Sequence, residues 1–147
     1  MKIEFRIRNT GPGGFFVHLA RFFVLGKAPQ ELVDRFGAML EAQCYTQDLL
    51  KPGASSSELF RIYNAYMRSR GFPEERRLHC HGQGYEPVER PLVRSDETMS
   101  IGADMNIGIH PSFASERLFV TVCDNFLTRA DGSVERLHAT PQEIFEL

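Results

Sequence analysis

Three histidines and a cysteine, His18, His81, His110 and Cys123, are the side chains in this sequence best suited to chemistry. Imidazole and thiolate are borderline-soft donors, so the set suits zinc or a similar divalent ion in tetrahedral geometry. No close spacing such as C-x-x-C links them, so they meet only if the fold gathers them. The stretch "HGQGYEPVER" is more specific. His81 is followed by Gly82 and Gly84, which let backbone approach closely, and then by Glu86 and Glu89 as acid or base candidates. It is no phosphate loop, because neither Lys-Ser nor Lys-Thr nor a helical pattern follows the glycines. Each feature also has a plainer reading. The glycines fit a strand-to-turn junction, and Glu86 and Glu89 fit solvated surface carboxylates. Cys80 alternates away from His79 and His81 as a buried thiol, and His138 reads as an exposed loop residue.

Strand alternation sorts the neighbours of these residues. His110 shares a face with Gly108 and Asn106, while Met105, Ile107 and Ile109 point the other way. Cys123 shares a face with Thr121 and Asn125, opposite Val120 and Val122. Two such strands offer one apolar face to a core and one small or polar face to a cavity. His18 differs. Its same-face neighbours Phe16, Ala20 and Phe22 read as core, and so does a lone histidine among them.

The elements that must position these residues follow an α+β order. Residues 2–8 and 15–25 read as two strands joined by the turn "NTGPGG". Pro29 suits the first turn of a helix whose core stripe is Leu32, Val33, Phe36, Met39, Leu40 and Cys44. "KPG" ends it, and Ser55 with Glu58 forms a capping box for a second helix. That helix carries Leu59, Ile62, Tyr63, Tyr66 and Met67 and closes at Gly71. Further strands are expected at 78–84, 104–111, 118–128 and 134–137, with a turn at Asp131–Gly132. Thr140, Pro141 and Glu143 predict a short terminal helix. The helices would lie on one face of a mostly antiparallel sheet.

Composition bounds the function. At 147 residues, 42% hydrophobic and 24% charged, the chain is expected to be a single soluble domain, 1–147. A formal net charge of −2 without basic runs argues against nucleic acid as a partner. No secretory signal is visible, and the most apolar stretch falls short of the ~20 residues that span a membrane. An odd number of irregularly spaced cysteines reads as reduced thiols in the cytoplasm, with no membrane partner.

Five segments in order resemble the pita-bread metallopeptidases: methionine aminopeptidase, aminopeptidase P, prolidase and the metal-free creatinase. They are "GPGGFFVHLARFFVLG" with the helix after it, "LLKPGASSSEL", "HGQGYEPVERP", "ADMNIGIHP" and "VCDNFLTRADGSVERL". The resemblance implies a pita-bread-like, mostly antiparallel curved sheet with two long helices on one face. It also implies a centre of two metal ions held by two Asp, one His and two Glu. Carried across, the His is kept as His81. The second Asp corresponds to His18, and the two Glu to His110 and Cys123, with Asp124 kept beside Cys123. The first Asp falls near Arg8 or Asn9. The family's second His falls at Val88.

The resemblance therefore implies the fold together with an altered site. One reading is a single divalent ion, zinc or iron, on His18, His81, His110 and Cys123, without ordinary peptidase activity. A second is a metal-free, creatinase-like hydrolase of a small C–N compound, using His81 with Glu86 or Glu89. A third is a non-catalytic binding or dimerisation module. Peptides or small C–N compounds are the implied substrates. The chain starts almost at the family's first ligand strand, so a fragment, an internal start or a covering partner is expected. A homodimer would shield the sheet face so exposed.

Overall fold

A computed structural model describes residues 2–11 and 13–147. Pro12, in the expected turn, lies outside the described residues. In chain order the elements are β1 (Lys2–Thr10), β2 (Phe16–Val24), α1 (Gln30–Leu49), α2 (Ser56–Ser69), β3 (Cys80–Gly82) and β4 (Glu89–Leu92). Then follow β5 (Asn106–Ile109), β6 (Ser112–Ala114), β7 (Phe119–Thr121), β8 (Asp124–Thr128), β9 (Val134–Arg136) and β10 (Ile144–Glu146). This is the α+β arrangement expected, with mostly antiparallel strands.

Three sheets are present among the described residues. One has the order β1-β2-β10, one β4-β3-β5-β8-β9, and the third pairs β6 with β7. The first two join where Ala20 N–H donates to the Cys123 carbonyl at 3.2 Å. That single bridge brings β2 against the start of β8.

Both helices form for the expected reasons. Ser55 Oγ accepts the Glu58 N–H at 3.4 Å and caps α2. Gly71, with φ of +76°, ends it in a Schellman motif: its N–H reaches the Arg68 carbonyl and the Phe72 N–H reaches that of Met67. Pro29 stands at the N-cap of α1, one position before the first turn proper. The buried face of α1 is Leu32, Phe36, Met39, Ala42, Gln43 and Thr46. Val33 and Cys44, expected in the core, are exposed. A count of apolar residues rotates the stripe toward them, because Gln43 and Thr46 are polar yet buried with hydrogen-bond partners.

The core comprises two clusters. One joins Phe22, Val24, Phe36, Met39 and Tyr63 to Val120 and Val122. The other joins Leu59, Cys80, Val93, Ile107, Ile109 and Phe126. Full burial of each large apolar side chain stabilises by about 1.5–3 kcal/mol. Cys80 is thus the buried thiol its alternation predicted.

The expected terminal helix is absent, and the segment becomes β10, parallel to β2. A helix begun at Thr140 would be too short to offset its nucleation cost. The Thr140 and Pro141 carbonyls instead accept bonds from Arg21, and the free edge of β2 takes Leu147 N–H at Val24. The expected strand 118–128 is broken at Val122–Cys123. Its two parts, β7 and β8, pair with different partners.

Candidate functional site

The register of the central sheet gathers the predicted residues. His81 of β3 lies across from Gly108 of β5, and Gly108 lies across from Asn125 of β8. Asn125 Oδ1 accepts the backbone N–H of His18 at 2.8 Å, which fixes β2 over this row. The three imidazoles close into a triangle: ring centres are 5.2 Å apart for His18–His81, 5.5 Å for His18–His110 and 5.0 Å for His81–His110. Cys123 and Val88 line the same pocket, of about 390 Å³. His18 therefore does not sit in the core beside Phe22, as its same-face neighbours predicted. The strand pairing turns it toward His81.

The electrostatics favour neutral imidazoles. Burial, with the neighbouring imidazoles, pulls His18 down to about 2, and burial with His81 pulls His110 down to about 3. His81 is also lowered by burial, opposed by the hydrogen bond its ring donates to the Gly82 carbonyl. Its Nδ1 is 2.7 Å from the Gly82 carbonyl, so Nδ1–H donates and Nε2 keeps its lone pair. His18 Nε2 is buried with no hydrogen-bond partner among the described residues. Burial pushes the Cys123 thiol up, so it is protonated near neutral pH.

The other predicted residues lie elsewhere. Glu89 Oε1 accepts the Glu86 N–H at 2.6 Å, and neither carboxylate lines the pocket. Asp124 is fully buried on the opposite side from Cys123. It pairs with Arg21 at 2.7 Å and Arg136 at 3.5 Å, and accepts from Gln142 at 2.9 Å. His138 is not an exposed loop residue, because its Nε2 lies 3.0 Å from the His18 carbonyl.

Asn125 and Asn106, placed on the polar face by alternation, bond each other, and Asn125 also bonds Gln83, which braces that face. The pocket's arginines were not among the candidates the sequence offered. Arg6, Arg8 and Arg77 line the pocket mouth, with Glu75 as its one carboxylate among the described residues. The signal for Arg6 and Arg8 was the alternation of β1, which aims both to one side.

A two-metal carboxylate centre does not fit these residues, since Glu75 is the pocket's one carboxylate among the described residues. The donor set fits one borderline ion better. Imidazole nitrogens about 2.1 Å from a tetrahedral ion put ring centres roughly 5 Å apart, the spacing found here. As the side chains stand, no group of three or more His, Cys, Asp or Glu among the described residues is arranged to hold a metal ion. Binding would need ring rotation, which the broad His χ2 allows.

The helices on one face and this gathered row define a pita-bread domain of the metallopeptidase class. The chain belongs to metallopeptidase family M24, whose family model matches residues 7–132. It is similar to the X-Pro aminopeptidase of Thermotoga maritima, with a TM-score of 0.88 and 20% identity over 99% of this chain and 42% of that one. It is also similar to the prolidase of Pyrococcus furiosus, at 0.83 and 22%, over 95% and 42%. The N-terminal domain of FACT complex subunit SPT16 from Eremothecium gossypii shares the fold at 0.75 and 15%, over 91% and 34%. At these identities the likeness is one of fold, and the chain spans less than half the length of each of these structures. No curated protein sequence gives a significant match.

Proposed function

We propose that this family M24 domain holds one divalent transition metal ion, zinc or iron, on His18, His81, His110 and Cys123. We further propose that it lacks ordinary prolidase or aminopeptidase P turnover. The observation that supports this is the triangle of three neutral imidazoles 5.0–5.5 Å apart. The Gly82 carbonyl holds the His81 Nδ1 proton, so that Nε2 faces the pocket as a donor. His18 Nε2 has no other partner to leave among the described residues. Once bound, the ion would supply Lewis-acid polarisation if one position stays open, and a structural tie if all four residues ligate it.

The missing carboxylates are the reason to expect no ordinary peptidase activity, because bridging two hard ions calls for oxygen donors. Family membership makes peptides and small C–N compounds the substrates to screen. A cytoplasmic homodimer completes the reading. The metal-free alternative is weaker, since Glu86 and Glu89 sit away from His81's pocket.

Elemental analysis of protein purified without a histidine tag tests the metal. Close to one equivalent of zinc or iron is expected. Less than about 0.2 equivalents, with no uptake on dialysis against either metal, rejects the site, because a formed site holds its ion through purification. Hydrolysis of an X-Pro dipeptide at the rate of an active prolidase rejects the second half of the proposal.

A further inference from the structure

We propose that the mouth of this pocket binds a small oxygen dianion, a phosphate monoester or a dicarboxylate, through Arg8 and Arg77. Three guanidinium groups line the pocket, and their engagements differ. Arg6 is committed: its Nε donates to Glu4 at 2.5 Å, and it lies 5.1 Å from the Phe119 ring centre. The Arg8 and Arg77 side chains have no hydrogen-bond or ion-pair partner among the described residues. Glu75 is occupied with the backbone N–H of Arg77 at 2.7 Å.

Arg8 stands directly across β1 and β2 from His18, so its charge lies over the imidazole floor. Two unpaired guanidiniums at the rim of a cavity of about 390 Å³ focus a positive field into it. Each offers a planar fork of N–H donors that matches phosphate or carboxylate oxygens two at a time. Two forks and one engaged carboxylate suit a ligand with two negative charges. A positive rim is also a poor entrance for a bare cation, so a bound anion would help any metal ion beneath it.

The assignment rests on the pocket reading above, in that His81 and His110 form its floor. It does not require the metal. The test is calorimetric titration of the full chain, treated with EDTA and then dialysed at low ionic strength near pH 7. Inorganic phosphate and succinate are titrated separately. Wild type should bind at least one of them. Arg8→Gln/Arg77→Gln should weaken binding at least about tenfold, as expected for losing charge-assisted contacts, and added salt should weaken it too. Preference for phosphate marks a phosphate monoester, and preference for succinate a dicarboxylate. Equal affinity in wild type and double variant overturns the proposal, as does no binding of either anion by wild type. Arg77→Gln alone, outside any strand, gives the same reading should the Arg8 change disturb β1. Metal content is measured in parallel. Anion binding without metal uptake leaves this site standing and rejects the metal site, and the reverse result rejects only this one.

Discussion

The imidazole of His18 lies directly over the α-carbon of Gly108. A Cβ built on Gly108 would collide with His18 Nε2 and come within 2.9 Å of Cε1. The glycine is not needed for its own backbone, because its φ is ordinary for a strand. It is needed because β2 lays a ring across β5 there, in the row that runs from His81 to Asn125.

Gly108→Ala should therefore displace His18. Overpacking of this kind costs about 1–3 kcal/mol. On the proposal that His18 is a ligand, metal content should fall as well. Gly37→Ala is the control: it lies mid-helix with open space around its α-carbon, so alanine there should stabilise by roughly 0.5–1 kcal/mol. Urea unfolding of both variants, with metal analysis, checks the pair. An unshifted midpoint for Gly108→Ala would show that His18 can move aside freely.

Asp124 should matter for stability alone. It is fully buried with Arg21, whose side chain is 2% exposed, so removing the carboxylate strands a guanidinium in the interior. Breaking such a pair costs about 3–5 kcal/mol. Asp124→Asn is expected to lose most of that in urea unfolding while keeping the wild-type metal content and anion affinity. Lost metal in a variant that remains folded would place Asp124 in the site after all.

These two residues mark what was legible in the sequence. Alternation separated Ile107 and Ile109 from Asn106, and Val122 from Cys123, and the structure keeps those faces apart. The helix caps at Ser55 and Gly71 were equally readable, because capping is local chemistry. The Asp124–Arg21 pair was not legible, since it joins positions 103 residues apart. The short strands β4 and β6 and the terminal β10 were also hidden. Each exists because a neighbour's edge is free, which is a tertiary fact. His18 read as core because its own strand is apolar on both sides. Only the crossing of β2 over β8 brings it to His81.

Stability of the metal-free protein should fall between pH 7 and pH 5. His18, His79, His81 and His110 are all held below the ordinary histidine value, chiefly by burial. The unfolded chain binds protons below about pH 6.5 that the folded chain refuses, so stability is complete above that value and lost as pH falls. Each such histidine contributes a slope of about 1.4 kcal/mol per pH unit well below its unfolded pKa. Urea midpoints in EDTA across this range measure it. A flat profile would mean the imidazoles take up protons without unfolding.

The outer edge of β1 predicts self-association. This strand is nine residues long, has one neighbour in its sheet, and leaves Ile3, Phe5 and Ile7 between 45% and 55% exposed. Long apolar edges of that kind pair with other chains. Light scattering should give about twice the chain mass of 16.7 kDa, and Phe5→Lys should return the monomer. A monomeric wild type at the same concentration removes the homodimer.

Metal uptake should release a proton through Cys123. Thiolate is the ligand form, yet burial holds this thiol protonated near neutral pH. An ion must therefore displace that proton, and affinity should rise between pH 6.5 and pH 8. Cobalt(II) titration follows the step directly, because a sulfur ligand adds a near-ultraviolet charge-transfer band. Cys123→Ser should abolish the band and weaken binding at least about tenfold, the scale of losing a good ligand. Cys80→Ser should keep the band, since Cys80 lies in the apolar cluster with Ile107 and Ile109, and should cost stability alone. A cobalt complex with no sulfur band, and equal affinity in wild type and Cys123→Ser, would reduce the site to its three histidines. That site would keep an open coordination position, and hydrolytic screening would then become the more informative experiment.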